Sequence, residues 1–203
     1  MQNLRYLCNL FLFDIYFMVI DRFLLTRLLR WRVLSDFPEV SKSITVFAPH
    51  TSYWDAIIGK LVLRSYGVRH TLLSKKELFH FPMSIAMHLL GAMPIGGVKG
   101  HNALHDAVSI LESEQQMHLV ICPEGQLAAT DRWNPGFYYM AVKAGVPIIV
   151  VYLDYAKRTA GVKGVIRDLE NQQEVYRQLA EMYADVTARH PVGFLLPRYK
   201  VQV

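Results

Sequence analysis

A chain of 203 residues is long enough to bury a real core, and a single folded body is the expectation. With 52% hydrophobic residues, only 19% charged and a mean hydropathy of +0.18, it is greasy for a freely soluble domain. The formal charge of +5 suits an anionic membrane surface or a phosphorylated substrate. The two cysteines, Cys8 and Cys122, offer neither a disulfide framework nor metal-ligand spacing, which fits a reducing compartment and no metal site.

Residues 4–33 are apolar but laced with charge. The apolar run 7–20 is short of the roughly 20 residues a span needs. It also carries Asp14 near its middle, at about 2.5–3.5 kcal/mol if placed at the bilayer centre. Arg22, Arg27, Arg30 and Arg32 follow, and no small-residue cleavage site does. Residues 1–34 are therefore expected to form an interfacial helical segment at the cytoplasmic face of a membrane, with arginines on lipid phosphates. The bland alternative is a helix packed on the protein's own core. Residues 34–42, with Pro38, read as a link into a second unit spanning 43–203.

A β-rich apolar run, 44–48, then delivers the chain to a Pro49-His50 corner. The stretch after it reads as a helix capped by Thr51 or Ser52 and stopped by Gly67. This places the His50 imidazole at a strand's end and the Asp55 carboxylate in the first turn of the next helix. Such a carboxylate can fix the imidazole's tautomer and stabilise its protonated form, which is half of a general-base machine. Spacing alone proves little, since eight His and nine Asp in this length predict roughly 0.35 chance matches to His-x4-Asp. A second match, His101–Asp106, lies in a helical pattern where five residues turn about 140° further round, so its side chains point apart. Context selects His50. Ser52 is a poor nucleophile candidate, because it lacks the Gly-x-Ser-x-Gly elbow and sits between the two on one turn.

Downstream, short strands over 68–74, 92–95, 117–122 and 147–153 alternate with helices over 83–90, 101–115 and 137–144. A hairpin over 159–167 and a surface helix over 170–189 follow. Alternation of this kind argues for an α/β fold, a mostly parallel sheet covered by helices. The irregular segment 123–136 follows a strand's C-terminal end, where open α/β sheets bind ligands. Trp133 and 137–139 read as core or channel wall, and the tail from 193 carries no signal. No nucleic-acid motif appears, and the aromatics fall in apolar runs rather than among lysines, so nucleic acid is not an expected partner.

Taken in order, PHTSYWD, KKELFHFP, LLGAMPIGG, CPEG, WNPGFYY and AGVPIIVVYLDY resemble the lysophosphatidic acid acyltransferase (glycerolipid acyltransferase) family over nearly the whole chain. The resemblance implies acyl transfer from a thioester, acyl-CoA or acyl-carrier protein, to a hydroxyl or amine of a membrane lipid acceptor, with no bound cofactor. It implies His50 as general base, Asp55 as its orienting group, and Glu124 and Gly125 as acceptor contacts beside Gln126. Three departures stand out. Pro49 replaces the family's usual Asn, and the loop 96–100 offers Lys99 where an arginine usually contacts phosphate. After Glu124-Gly125 the chain continues Gln126-Leu127-Ala128 rather than Thr-x-Ser or Thr-Arg-Ser. Lys75, Lys76 and Lys99 supply charge without a guanidinium's planar fork, so a phosphomonoester acceptor is not expected to be preferred. The alternative is a catalytically silent lipid-binding protein of the same fold.

Overall fold

The computed structural model describes residues 18–95 and 103–199. Seven strands form one sheet in the order β1-β7-β6-β2-β5-β3-β4. They are β1 (Arg32–Val33), β2 (Lys42–Ala48), β3 (His70–Lys75), β4 (Ala92–Ile95), β5 (Met117–Ile121), β6 (Ile148–Asp154) and β7 (Thr159–Ile166). All neighbours pair in parallel except the β6–β7 hairpin. The alternating pattern thus folds into the expected mostly parallel α/β sheet.

The apolar strands are buried on both faces, as a parallel sheet requires. Along β2, Ile44, Val46 and Ala48 enter one core while Phe47 enters the other. The helices divide by the direction in which the chain crosses the sheet. α1 (Tyr53–Ser65) and α2 (Met83–Leu89) connect strands running one way along the strand order, from β2 to β3 and from β3 to β4. α3 (Ala103–Ser113) and α4 (Gly136–Ala144) lead back to β5 and then to β6. Right-handed crossovers therefore put the two pairs on opposite faces. α5 (Gln172–Tyr183) joins the α3–α4 side, burying Val175, Leu179 and Tyr183 in their core. β2 and β5 are adjacent, yet the chain leaves them for opposite faces. The crevice beyond their C-terminal ends is the topological switch point, where such sheets bind ligands.

Residues 18–34, assigned by sequence to the N-terminal segment, are built into this body. A helix over 18–23 and a π-turn (Leu24–Leu28) lie along α1. Arg64 Nε meets Asp21 Oδ2 at 2.8 Å, and Met18 lies beside Gly67. Leu25 and Trp31 are buried in the α1-side core, and β1 pairs with β7. Packing therefore does not divide at residue 34. Among the described residues no helix is long and apolar enough to cross a membrane; most of the run 7–20 lies outside them.

The expected surface helix over 170–189 stops at Tyr183. Tertiary bonds take over there. Tyr155 N–H donates to the Thr187 carbonyl at 2.9 Å, and Lys157 and Lys163 hold the Asp185 carboxylate. Residues 184–199 then run as a strap across the C-terminal end of the sheet. His190 N–H donates to Thr51 Oγ1 at 3.2 Å, Trp133 Nε1–H to the Leu195 carbonyl at 3.2 Å, and Arg198 pairs with Asp131.

Candidate active site

β2 ends at Ala48, the Ala48–Pro49 peptide is cis, and His50 follows at the mouth of the switch-point crevice. The helix after it begins with a capping box. Ser52 Oγ accepts from Trp54 N–H at 3.2 Å, and the Asp55 side chain reaches back to the Ser52 N–H at 2.8 Å. The same Asp55 Oδ2 accepts from Thr51 N–H at 2.7 Å. This local chemistry turns the carboxylate toward the corner, where Oδ2 lies 3.8 Å from His50 Nδ1. That separation is too long for a hydrogen bond but close enough for a strong charge interaction.

Asp55 is fully buried, and the His50 side chain is 19% exposed. His50 Nδ1 is itself buried and has no hydrogen-bond partner among the described residues. Burial pulls the imidazole's pKa down, and the Asp55 charge opposes that pull. The ring is thus held neutral near pH 7, ready to accept a proton, beside a charge that steadies the imidazolium once formed.

Glu124, which follows β5, approaches from the other strand of the switch point. Its Oε1 accepts the His50 backbone N–H at 3.0 Å, while Oε2 is buried without a partner. Burial, with a smaller contribution from Asp55, pushes its pKa up to about 8, so at neutral pH it is mainly the uncharged acid. Gly125 takes φ +64°, and a Cβ there would lie 3.8 Å from both Cε and Nζ of Lys75 at the end of β3. Lys75 therefore flanks the Pro-Glu-Gly turn and is itself exposed, as is Gln126. His50, Asp55, Glu124, Gly125 and Lys75 come together at one edge. Lys99 lies outside the described residues, as does His101 of the rejected pair; Asp106 sits in the first turn of α3, in the group of helices opposite α1.

Backbone N–H groups at the start of α1 are attractive donors for an oxyanion or a phosphate. Those of Thr51, Ser52 and Trp54 are already occupied by Asp55 and by the Ser52 cap. Asp55 N–H bonds the Ser52 carbonyl at 3.1 Å. Trp133, Phe137 and Tyr138 are core, whereas Tyr139 is exposed.

Two side chains at this edge escape a reading by sequence. Tyr155, just past β6, donates its O–H to Asp55 Oδ1 across 100 positions of chain. Arg189, in the strap, lies over the rings of Trp54 and Tyr155 at 5.7 and 5.9 Å. The signal available for Tyr155 is its place at the end of an apolar strand neighbouring β2, which becomes legible only with the strand order known.

A family model described as Acyltransferase matches residues 30–154. No curated protein matches the chain. Among solved structures the chain is similar to the crystal structure of the 1-acyl-sn-glycerophosphate (LPA) acyltransferase PlsC from Thermotoga maritima. The TM-score is 0.56 at 16% identity, over 83% of this chain and 75% of that one. At that identity the likeness bears on the fold alone. His50, Asp55, Lys75, Glu124, Gly125 and Gln126 all fall inside the matched family segment.

Proposed function

Because the chain belongs to the acyltransferase family, we propose that it moves a fatty acyl group from the thioester of acyl-CoA or acyl-carrier protein to a membrane lipid. The acceptor group is a hydroxyl or amine. The observation that carries this reading is the partly open His50 at the switch point, with the buried Asp55 oxygen 3.8 Å from its Nδ1. In this reading the acceptor's oxygen or nitrogen attacks the thioester carbon as His50 takes its proton. Asp55 steadies the imidazolium. The tetrahedral intermediate then expels the thiolate, which recovers the proton as the C–S bond breaks. A base so placed contributes roughly 10²–10⁴ in rate. Holding donor and acceptor in one crevice contributes by proximity as well. The pair fits a base rather than a nucleophile, since Ser52 Oγ is engaged as the helix cap.

Lys75, Gly125, Glu124 and Gln126 are proposed as the acceptor side, with Lys99, which follows β4 in the sequence. Glu124 is the inner wall of that side, where it fixes the His50 backbone N–H. Phospholipid synthesis or remodelling at a membrane surface is the setting this implies.

The deciding experiment incubates membranes holding the full-length protein with labelled oleoyl-CoA and identifies the labelled lipid. His50→Ala is expected to lower labelling by at least a hundredfold, with an unchanged melting profile. Lysolipids without a phosphomonoester are expected to compete as well as lysophosphatidic acid. An active His50→Ala would refute the mechanism. Strong selectivity for lysophosphatidic acid, lost in Lys99→Ala, would refute the acceptor assignment.

A further inference from the structure

Asp55 is a fully buried carboxylate whose two oxygens have different neighbours. Oδ2 takes the Thr51 and Ser52 N–H groups and faces His50. Among the described residues, Oδ1 takes a single donor, the Tyr155 hydroxyl. Tyr155 is in turn fixed from two sides. Trp31 meets its ring edge-on at 4.9 Å, and the Arg189 guanidinium lies over it. A carboxylate can rotate about its last carbon–carbon bond, and two backbone donors on one oxygen do not by themselves hold the other. We propose that Tyr155 is a positioning residue for the His50–Asp55 pair: its O–H holds Oδ1 and moderates the charge that Oδ2, fixed by its two backbone donors, presents to His50. This rests on the reading of His50 as the base.

The consequence for proton transfer follows from electrostatics. A base must be neutral before it acts, yet its partner charge favours the protonated form. A donor on the far oxygen draws charge away from the near one. It leaves enough to steady a transient imidazolium without protonating the ring in the resting protein. Burial and the Asp55 carboxylate both push the Tyr155 phenol's pKa up, so it retains the proton it donates. Among the described residues, the other ionisable groups at this cluster are Glu124 and Cys122 beyond β5, both held protonated at neutral pH, Lys75 at the end of β3, and Arg189 in the strap. None of them donates to Asp55 Oδ1.

The test reads His50 without substrate. Full-length protein in detergent micelles, labelled in its histidine rings, is titrated by NMR, and the His50 signal is assigned by its loss in His50→Gln. Tyr155→Phe keeps the ring between Trp31 and Arg189, and unchanged signals from the other histidines verify folding. The expected result is a rise in the His50 midpoint of at least half a pH unit in Tyr155→Phe, a threefold or greater change in its proton affinity. In an Asp55→Asn background, adding Tyr155→Phe is expected to move the midpoint by less than a fifth of a unit, because the phenol acts through the carboxylate. An unchanged midpoint in Tyr155→Phe, or an equal shift with and without Asp55, would overturn the proposal. These midpoints stand whether or not His50→Ala loses activity, so failure of the functional reading and failure of this one are separable.

Discussion

Burial makes several single residues unwilling to carry charge, and their effects on stability run in opposite directions. His70 and His118 sit under α1 on neighbouring strands, and burial holds both near pKa 4, below the ordinary 6.5. His118 Nδ1 is satisfied by Ser43 Oγ at 2.9 Å, an arrangement that suits a neutral ring. Between about 6.5 and 4 the unfolded chain binds protons that the folded one refuses, so stability falls as pH falls through that window. Glu124 behaves oppositely. Held near 8 rather than 4.5, it keeps a proton when folded that the unfolded chain has released, so stability falls as pH rises from 4.5 to 8. Where the windows overlap, His70, His118 and His50, all held down by burial, outweigh one carboxyl; of these four groups only Glu124 acts above 6.5. Stability, and with it the melting temperature, is therefore expected to peak near pH 6.5, the stability changing on either side by about 1 kcal/mol per pH unit. Glu124→Gln should abolish the alkaline fall and keep the acidic one. Thermal melts at pH 5, 6.5 and 8 check this, and a wild-type Tm that rises from 6.5 to 8 would contradict it.

Among the elements, α1 and β2 together set the distance between His50 and Asp55, and Gly59 sets how closely they pack. A Cβ at Gly59 would lie 2.6 Å from Cζ and 2.7 Å from Cε2 of Phe47, a rigid buried ring on β2. Replacing a mid-helix glycine by alanine ordinarily stabilises a helix by about 1 kcal/mol. Here overpacking of about 1–3 kcal/mol opposes it and wins, because neither strand nor ring can retreat within a parallel sheet. Gly59→Ala is expected to lower the Tm and, by levering Asp55 away from His50, to lower acyl transfer at least tenfold. Adding Phe47→Leu should recover most of the stability. Paired melting and activity measurements test this; a Tm raised by Gly59→Ala would show that the helix has room to move.

At the level of the whole molecule, large apolar side chains stand exposed on the elements that pack on the α1 side of the sheet. Phe23 and Leu28 are 61% and 70% exposed before β1, and Trp54 and Ile57 are exposed on α1. Phe81 and Leu89, at 81% and 80%, flank Ile85 on and beside α2. An apolar surface of this kind, on a chain of net charge +5, supports the proposal that this side rests on a membrane, with the site's edge open to lipid. Full-length protein is expected to sediment with anionic phosphatidylglycerol vesicles at low salt. High salt should release only part of it, since screening removes the arginine share, on the order of 1 kcal/mol each, and leaves the apolar share. Replacing Phe81, Ile85 and Leu89 together by serine should at least halve the salt-resistant fraction without lowering the Tm. Undiminished sedimentation of that variant would place the contact elsewhere.

Much of this protein is written locally. The alternation of strands and helices, the Ser52–Asp55 capping box and the His50 corner all rest on signals a few residues wide, which periodicity and cap chemistry carry in any context. The sequence by itself therefore determined the α/β class and the pairing of His50 with Asp55. Strand order is another matter, because a parallel crossover spans a dozen or more residues and its destination is not encoded in its own pattern. Only the tertiary structure brought Glu124 against the His50 N–H, by setting β5 beside β2. It likewise brought Tyr155 to Asp55, by setting β6 on the other side. It also drew Trp31 out of an apparent membrane segment to support that tyrosine, and laid the featureless strap over the site. Local chemistry paired His50 with Asp55; the packing of distant strands chose everything that surrounds them.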